Sequence, residues 1–216
     1  MDRRVKTCFL LLAFSLFPLR AEIIDRILAV VGDQIVTWSD VVAEANYQAL
    51  LNGQQPPDSA ELERKEVLRP ILSRLMDQTL LAQAQKAFLF TPSENETARL
   101  EEVRKRFPNE QAYHRALAQY ALTEAALVSH LERETNLMAF VDYRLRPQVQ
   151  LTPEEIDQYY RETLVPELRR QGQRDVPPLS EVRDHIEQIL TQEKINSLLE
   201  EWLQDLRRRT PVKIFE

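Results

Sequence analysis

The strands of this chain sit at its two ends. Arg26-Ile-Leu-Ala-Val-Val31 and Gln34-Ile-Val-Thr37 read as a hairpin closed by Gly32-Asp33. Glycine at the first central position accepts the positive φ of a tight primed turn. The other convincing strand is Pro211-Val-Lys-Ile-Phe215, and almost everything between reads as helix. An isolated hairpin is marginal in water. A third strand arriving from the far end would bury its apolar side and close head and tail into one domain. The expected fold class is therefore mainly α, a multi-helix core with a small β-sheet formed by the N-terminal hairpin and the C-terminal strand. That arrangement points to a helical cradle rather than an active-site fold.

The helices are punctuated by caps and prolines. Thr37 or Ser39 can cap a helix running to Asn52, with Gly53 as its stop. Asp58 opens a charged stretch that meets Pro70, which either kinks that helix or sits in the first turn of a new one. From Ile71, the residues Leu72, Leu75, Met76, Leu80, Ala84 and Phe88 recur at helical spacing. Thr91-Pro-Ser93 caps the next helix, which ends near Phe107-Pro108. Asn109 starts a short helix through Tyr113, Leu117 and Tyr120. Thr123 caps a long one whose stripe is Leu127, Leu131, Met138, Val141 and Leu145, ending before Pro147. Thr152-Pro-Glu-Glu155 is a helix start with cap, first-turn proline and acids at the positive dipole end. Gln171-Gly-Gln-Arg-Asp-Val-Pro-Pro178 reads as a linker. Ser180 begins a helix whose stripe, from Val182 through Leu206, lasts about 30 residues, or about 45 Å. A helix of that length must span the whole domain or leave exposed grooves beside it.

Residues 1–21 read as a secretory signal. Arg3, Arg4 and Lys6 form a positive start, Cys8 to Phe17 is an apolar run too short to span a membrane, and Ala21 is the expected cleavage point. The protein is accordingly expected to be secreted, with no stable membrane insertion. Cleavage would remove the only cysteine, Cys8, and with it any disulfide, thiol nucleophile or Cys-ligated metal. It would also remove four cations and one anion, taking the net charge from -6 to about -9. An acidic chain is a poor nucleic-acid partner. The one basic run, Arg207-Arg208-Arg209, reads as favourable charge at a helix C-terminus. The whole chain holds three glycines, Gly32, Gly53 and Gly172, too few for a glycine-rich phosphate loop.

No constellation for catalysis stands out. His114, His130 and His185 fall on different helices at no metal-ligand spacing and are expected on the surface. No serine lies in a nucleophile-elbow context. Acidic residues such as Glu94, Glu96, Glu101, Glu102, Glu154 and Glu155 occupy first turns or charged faces. The chain is expected to be no enzyme, with no cofactor and no metal site. The informative residues are apolar: Met76, Leu80, Tyr120, Met138, Phe140, Tyr143, Tyr159, Tyr160 and Trp202. Core is the expectation for most of them, and a client-binding groove for a subset, because flexible Met and amphipathic Tyr suit a surface that accepts many apolar sequences.

The segment Ile24 to Asp40 resembles the opening of the SurA-like periplasmic chaperones, with Asp25, Arg26, Val30, Val31, Ile35 and Ser39 matching the family pattern. Leu68 to Ala87 looks like the family's second helix. Tyr113 to Tyr160 is similar to its later helices, ending in Thr-Pro-Glu-Glu-Ile-x-x-Tyr-Tyr. Val182 to Ile214 resembles its C-terminal helix and returning strand. The resemblance implies a helical chaperone domain over 22–165, completed by the helix and strand of 179–216. Many family members carry parvulin prolyl isomerase domains at the place where only the 166–178 linker stands here. The resemblance thus implies an ATP-independent holdase without an isomerase, with unfolded polypeptides as clients, outer-membrane protein precursors among them. The expected partners extend to the outer-membrane assembly machinery and to a second copy in a groove-closing homodimer. A degenerate isomerase and a secreted module for one folded partner are the alternative readings.

Overall fold

A computed structural model describes residues 25–88, 90, 96–173 and 175–215. The signal expected over 1–21 and the Thr91-Pro-Ser93 cap lie outside these residues. The chain runs β1 (Ile27–Val31), β2 (Gln34–Thr37), α1 (Trp38–Asn52), α2 (Ser59–Leu62), α3 (Lys65–Ala87), α4 (Glu96–Arg104), α5 (Glu110–Gln119) and α6 (Glu124–Leu145). A 3-10 turn (Arg146–Gln148) leads to α7 (Pro153–Tyr159), a π-helical turn (Tyr160–Leu164), α8 (Val165–Arg170), α9 (Leu179–Arg209) and β3 (Val212–Ile214). The fold is mainly helical with one small antiparallel sheet, as the sequence pattern implies.

The sheet has the order β2-β1-β3, so the tail of the chain pairs with its head. Ala29, Val30 and Val31 face Ile214, Lys213 and Val212. The ladder continues at both ends, where Gly32 N–H donates to Pro211 O and Phe215 N–H to Leu28 O, each at 2.8 Å. Gly32 has φ +62° and Asp33 is not in the positive region, the φ pattern of a type II′ hairpin turn. Ala29, Val31 and Val36 are buried against Leu72, Leu75, Met76 and Leu80 of α3. The hairpin is tied down twice more. Asp25 accepts hydrogen bonds from the Ser39 backbone and hydroxyl at the start of α1, which holds its carboxyl below the usual carboxylate range. The Arg26 guanidinium lies 4.6 Å from the Trp38 ring centre.

Thr37, Asn109, Thr123 and Thr152 each accept a hydrogen bond from the backbone three residues on, and so start α1, α5, α6 and α7. Thr37 with Asp40 and Thr152 with Glu155 complete capping boxes. Pro70 lies inside α3, in its second turn, instead of opening a new helix. The position is exposed, so the carbonyl left without an N–H can be hydrated. Pro166 falls inside α8 (Val165–Arg170), which ends just before Gln171. The π-helical turn before it explains how. Val165 N–H bonds five residues back to Tyr160 O, a wider turn that carries the chain past Pro166 without ending the helix.

Two further apolar clusters complete the core. One joins α1, α4, α5 and the first half of α6 around Tyr47, Tyr113 and Leu127. The other is a seam in which Leu81 of α3, Leu137, Val141 and Leu145 of α6, and Ile195 of α9 meet. Helix α9 has 31 residues, about 46 Å of length. It rests on α7 near Lys194, whose ammonium sits 2.7 Å from Glu155 Oε1, and reaches α3, where Arg207 clasps Asp77 at 2.6 Å. Only Ile186 and Ile195 of α9 are fully buried, so the helix lies on the body as a strut.

Candidate functional site

Helices α3, α6 and α9 enclose an open groove of about 760 Å³, a size common for ligand sites. Its floor is apolar: Leu81, Leu137, Val141, Ile195 and Leu199, with Met138 projecting over it at 61% exposure. An unbranched thioether so placed can adapt its shape to different apolar neighbours. One wall is polar and fixed. Arg99 donates to Thr135 Oγ1 at 3.1 Å and to Glu134 Oε2 at 3.2 Å, and the Tyr47 hydroxyl donates to that same oxygen at 2.7 Å. Burial and the bond to a carboxylate together push the Tyr47 phenol well above its ordinary range, so it remains a donor.

A second feature grows from the other side of α6. Phe140 is completely buried, and its ring is surrounded by Phe88 at 5.9 Å, Phe90 at 5.5 Å and Trp202 at 5.6 Å. Tyr143 adjoins Phe90 at 5.4 Å and is 65% exposed; Phe88 is 53% exposed. The Arg144 guanidinium lies 5.5 Å from the Phe88 ring centre and 5.9 Å from that of Trp202, within cation–π range of both. Aromatic pairs at these separations are favourable beyond their buried area.

A polar pocket of about 140 Å³ separates α1, α3 and α6. Glu44 on α1 is 1% exposed, accepts from Gln48 Nε2 at 3.0 Å, and has Arg74 at 3.8 Å and His130 Nδ1 at 3.9 Å. His130 stacks on Tyr47 with centroids 4.7 Å apart. Burial pushes the Glu44 carboxyl up and the His130 imidazole down. The surface role expected for His130 is thereby corrected: its side chain is 12% exposed. Glu44 falls three residues after buried Val41 and one before buried Ala45, on the stripe that faces the core. That position is the signal by which the sequence could have revealed it. A wider pocket of about 350 Å³ adjoins β2 and also touches His130. Among the described residues, no group of three or more His, Cys, Asp or Glu is placed to hold a metal ion, and no helix is long and apolar enough to cross a membrane.

The nine groove candidates scatter over five places. Met138 alone lines the α3–α6–α9 groove, and it leaves the buried stripe of α6, which runs through Leu137, Phe140 and Val141 instead. Phe140, Tyr143 and Trp202 come together in the aromatic cluster. Met76 and Leu80 belong to the packed core under the sheet, and Tyr120 to the α1–α4–α5–α6 core, where its hydroxyl donates to Gln54 O at 2.6 Å. Close packing leaves these three, and Phe140, no open surface for a client. Tyr159 and Tyr160 are half-buried around α7, and the Tyr160 hydroxyl donates to Pro177 O at 2.9 Å, fastening the segment before α9. Sequence reasoning missed Leu81, Leu137, Ile195 and Leu199 as groove floor, and Arg144 beside the aromatics. No protein-family model matches the chain, and no curated protein matches it.

Proposed function

We propose that this chain is an ATP-independent holdase of the periplasm, similar to the SurA-like chaperones without their isomerase domains, and that it binds extended apolar segments of unfolded polypeptides. The observation that carries the reading is the open apolar groove of about 760 Å³ with Met138 standing over its floor. Burying client side chains there uses the hydrophobic effect, which is non-directional and so tolerates many sequences. Modest affinity gives fast release, and handover requires no nucleotide. The aromatic surface on the far side of α6 adds contact area of the same character. Outer-membrane protein precursors as clients, the assembly machinery as recipient and the signal-directed location are part of the same proposal, and they rest on the resemblance of the sequence alone.

The test is suppression of aggregation by the purified protein against a denatured, apolar-rich client. The wild-type chain at several-fold excess is expected to suppress light scattering. Met138→Glu places a charge over the groove floor, and peptide affinity is expected to fall on the order of tenfold with circular dichroism unchanged. Absence of protection by the wild-type chain overturns the reading.

A further inference from the structure

Among the described residues, Arg144 is a cation with no anionic partner. Its neighbour Asp142 turns to Arg146, with Nε–Oδ1 at 2.8 Å, and among the described residues Arg144 makes no ion pair. Its guanidinium instead lies beside two rings, Phe88 and Trp202, and its Nε is buried without a hydrogen-bond acceptor. A guanidinium presents five donors in a rigid fork, and a buried donor left unpaired is costly. Next to this fork lies exposed aromatic surface, Phe88 and Tyr143. Rings in contact with the guanidinium hold it in place and lower the local dielectric, which strengthens a bond to an incoming anion.

We infer that Arg144 and the rings around it form a specificity site for an acidic side chain flanked by apolar residues in an extended polypeptide. The carboxylate meets the open edge of the guanidinium, and the flanking side chains lie on Phe88 and Tyr143. Charge complementarity fixes the occupant: among the described residues of this patch, the unpaired group is a planar cation whose fork matches a carboxylate. A mid-chain acid is the source, because a holdase meets internal segments of its clients far more often than their ends. The site deepens the chaperone reading and rests on it.

The experiment uses the whole chain carrying Trp38→Phe, so that Trp202 is the only tryptophan and its fluorescence reports the patch. Three short acetylated peptides are titrated: an amidated one centred on Phe-Asp-Phe, its amidated Phe-Asn-Phe counterpart, and the latter with a free C-terminal carboxylate. The aspartate peptide is expected to bind on the order of tenfold more tightly than the asparagine peptide at low salt, with the ratio shrinking as salt rises. Arg144→Gln is expected to abolish the ratio. Arg144→Lys, which keeps the charge and loses the fork, is expected to lose most of it. Equal affinities in the wild-type chain, a ratio that survives Arg144→Gln, or a preference for the free terminus alone each overturn the site while leaving the chaperone reading standing. Binding of none of the three peptides also overturns the site, while the chaperone reading stands or falls on the aggregation assay.

Discussion

Three side chains face Glu44 on the inner side of α1: Gln48 at 3.0 Å, Arg74 at 3.8 Å and His130 at 3.9 Å, with Arg133 and Glu134 on the next turn of α6. One full hydrogen bond and two longer contacts do not replace the water a carboxylate loses on burial, so its pKa rises above the ordinary 4.5. A raised pKa means that the folded state holds this proton more tightly than the unfolded chain. The stabilisation is therefore fully present below about pH 4.5 and is lost as pH rises through the folded value, leaving a penalty at neutrality. His130 has the opposite sign. Its pKa falls below 6.5 because burial, then the Arg133 charge, disfavours imidazolium. Its contribution is present above 6.5 and is lost as pH falls toward the folded value. Glu44→Gln keeps the shape and removes the charge. It is expected to raise the thermal midpoint at pH 7, with the advantage shrinking steadily toward pH 4.5. A glutamine variant less stable than wild type at pH 7 would show that the charge is well compensated. Glu44 announces this environment only by its place on the apolar stripe of α1, and His130 not at all: a histidine on a helix is an ordinary surface residue until α1 and α6 are packed together.

At the level of single elements, what the sequence makes legible is what local chemistry decides. Cap side chains at Thr37, Asn109, Thr123 and Thr152 and the positive-φ stop at Gly53 place helix ends without reference to distant chain. The hairpin turn is of the same kind and offers a sharp test. A Cβ added at Gly32 would sit 3.2 Å from Gln83 Nε2 and 3.3 Å from Thr210 Cγ2, at φ +62°. The Gln83 amide that must move donates to Val31 O at 3.0 Å and joins α3 to the hairpin. Gly32→Ala is expected to cost about 1–2 kcal/mol in urea denaturation, from the left-handed backbone and the displaced amide together. A change within about 0.5 kcal/mol, the range of neutral surface substitutions, would mean the turn relaxes freely. Long-range choices are what the sequence conceals. Met138 and Phe140 are two residues apart, about 200° around α6, and equally apolar. One stands over a groove and the other is sealed beneath Trp202, and the difference is set by where α9 lands. Pro166 is another such case: it is carried inside a helical run because one π-helical turn supplies the slack.

The whole molecule is organised by the return of its tail. Helix α9 bridges α7 and α3, and β3 then joins β1, so the groove between α6 and α9 is framed by a chain closed on itself. Closure of contacts so far apart in sequence is entropically costly and slow, and it must be offset by what the last residues bury. Those residues give β1 its second partner strand and bring Val212 against the core under the sheet. A chain ending at Arg209 keeps the Arg207–Asp77 clasp but leaves β1 and β2 as a two-stranded ribbon with one edge stripped. The expected cost is on the order of a few kcal/mol, read as a lower urea midpoint. Hydrogen exchange localises the effect. The Gly32 amide, which donates to Pro211 O, is expected to lose protection, while amides around the Tyr113–Leu127 cluster, remote from the sheet, keep theirs until global unfolding. The same truncation frees the end of α9, so the groove is expected to loosen and peptide affinity to fall with stability. An unchanged midpoint with intact binding would mean that the strut alone holds the frame and that the third strand is an accessory to it.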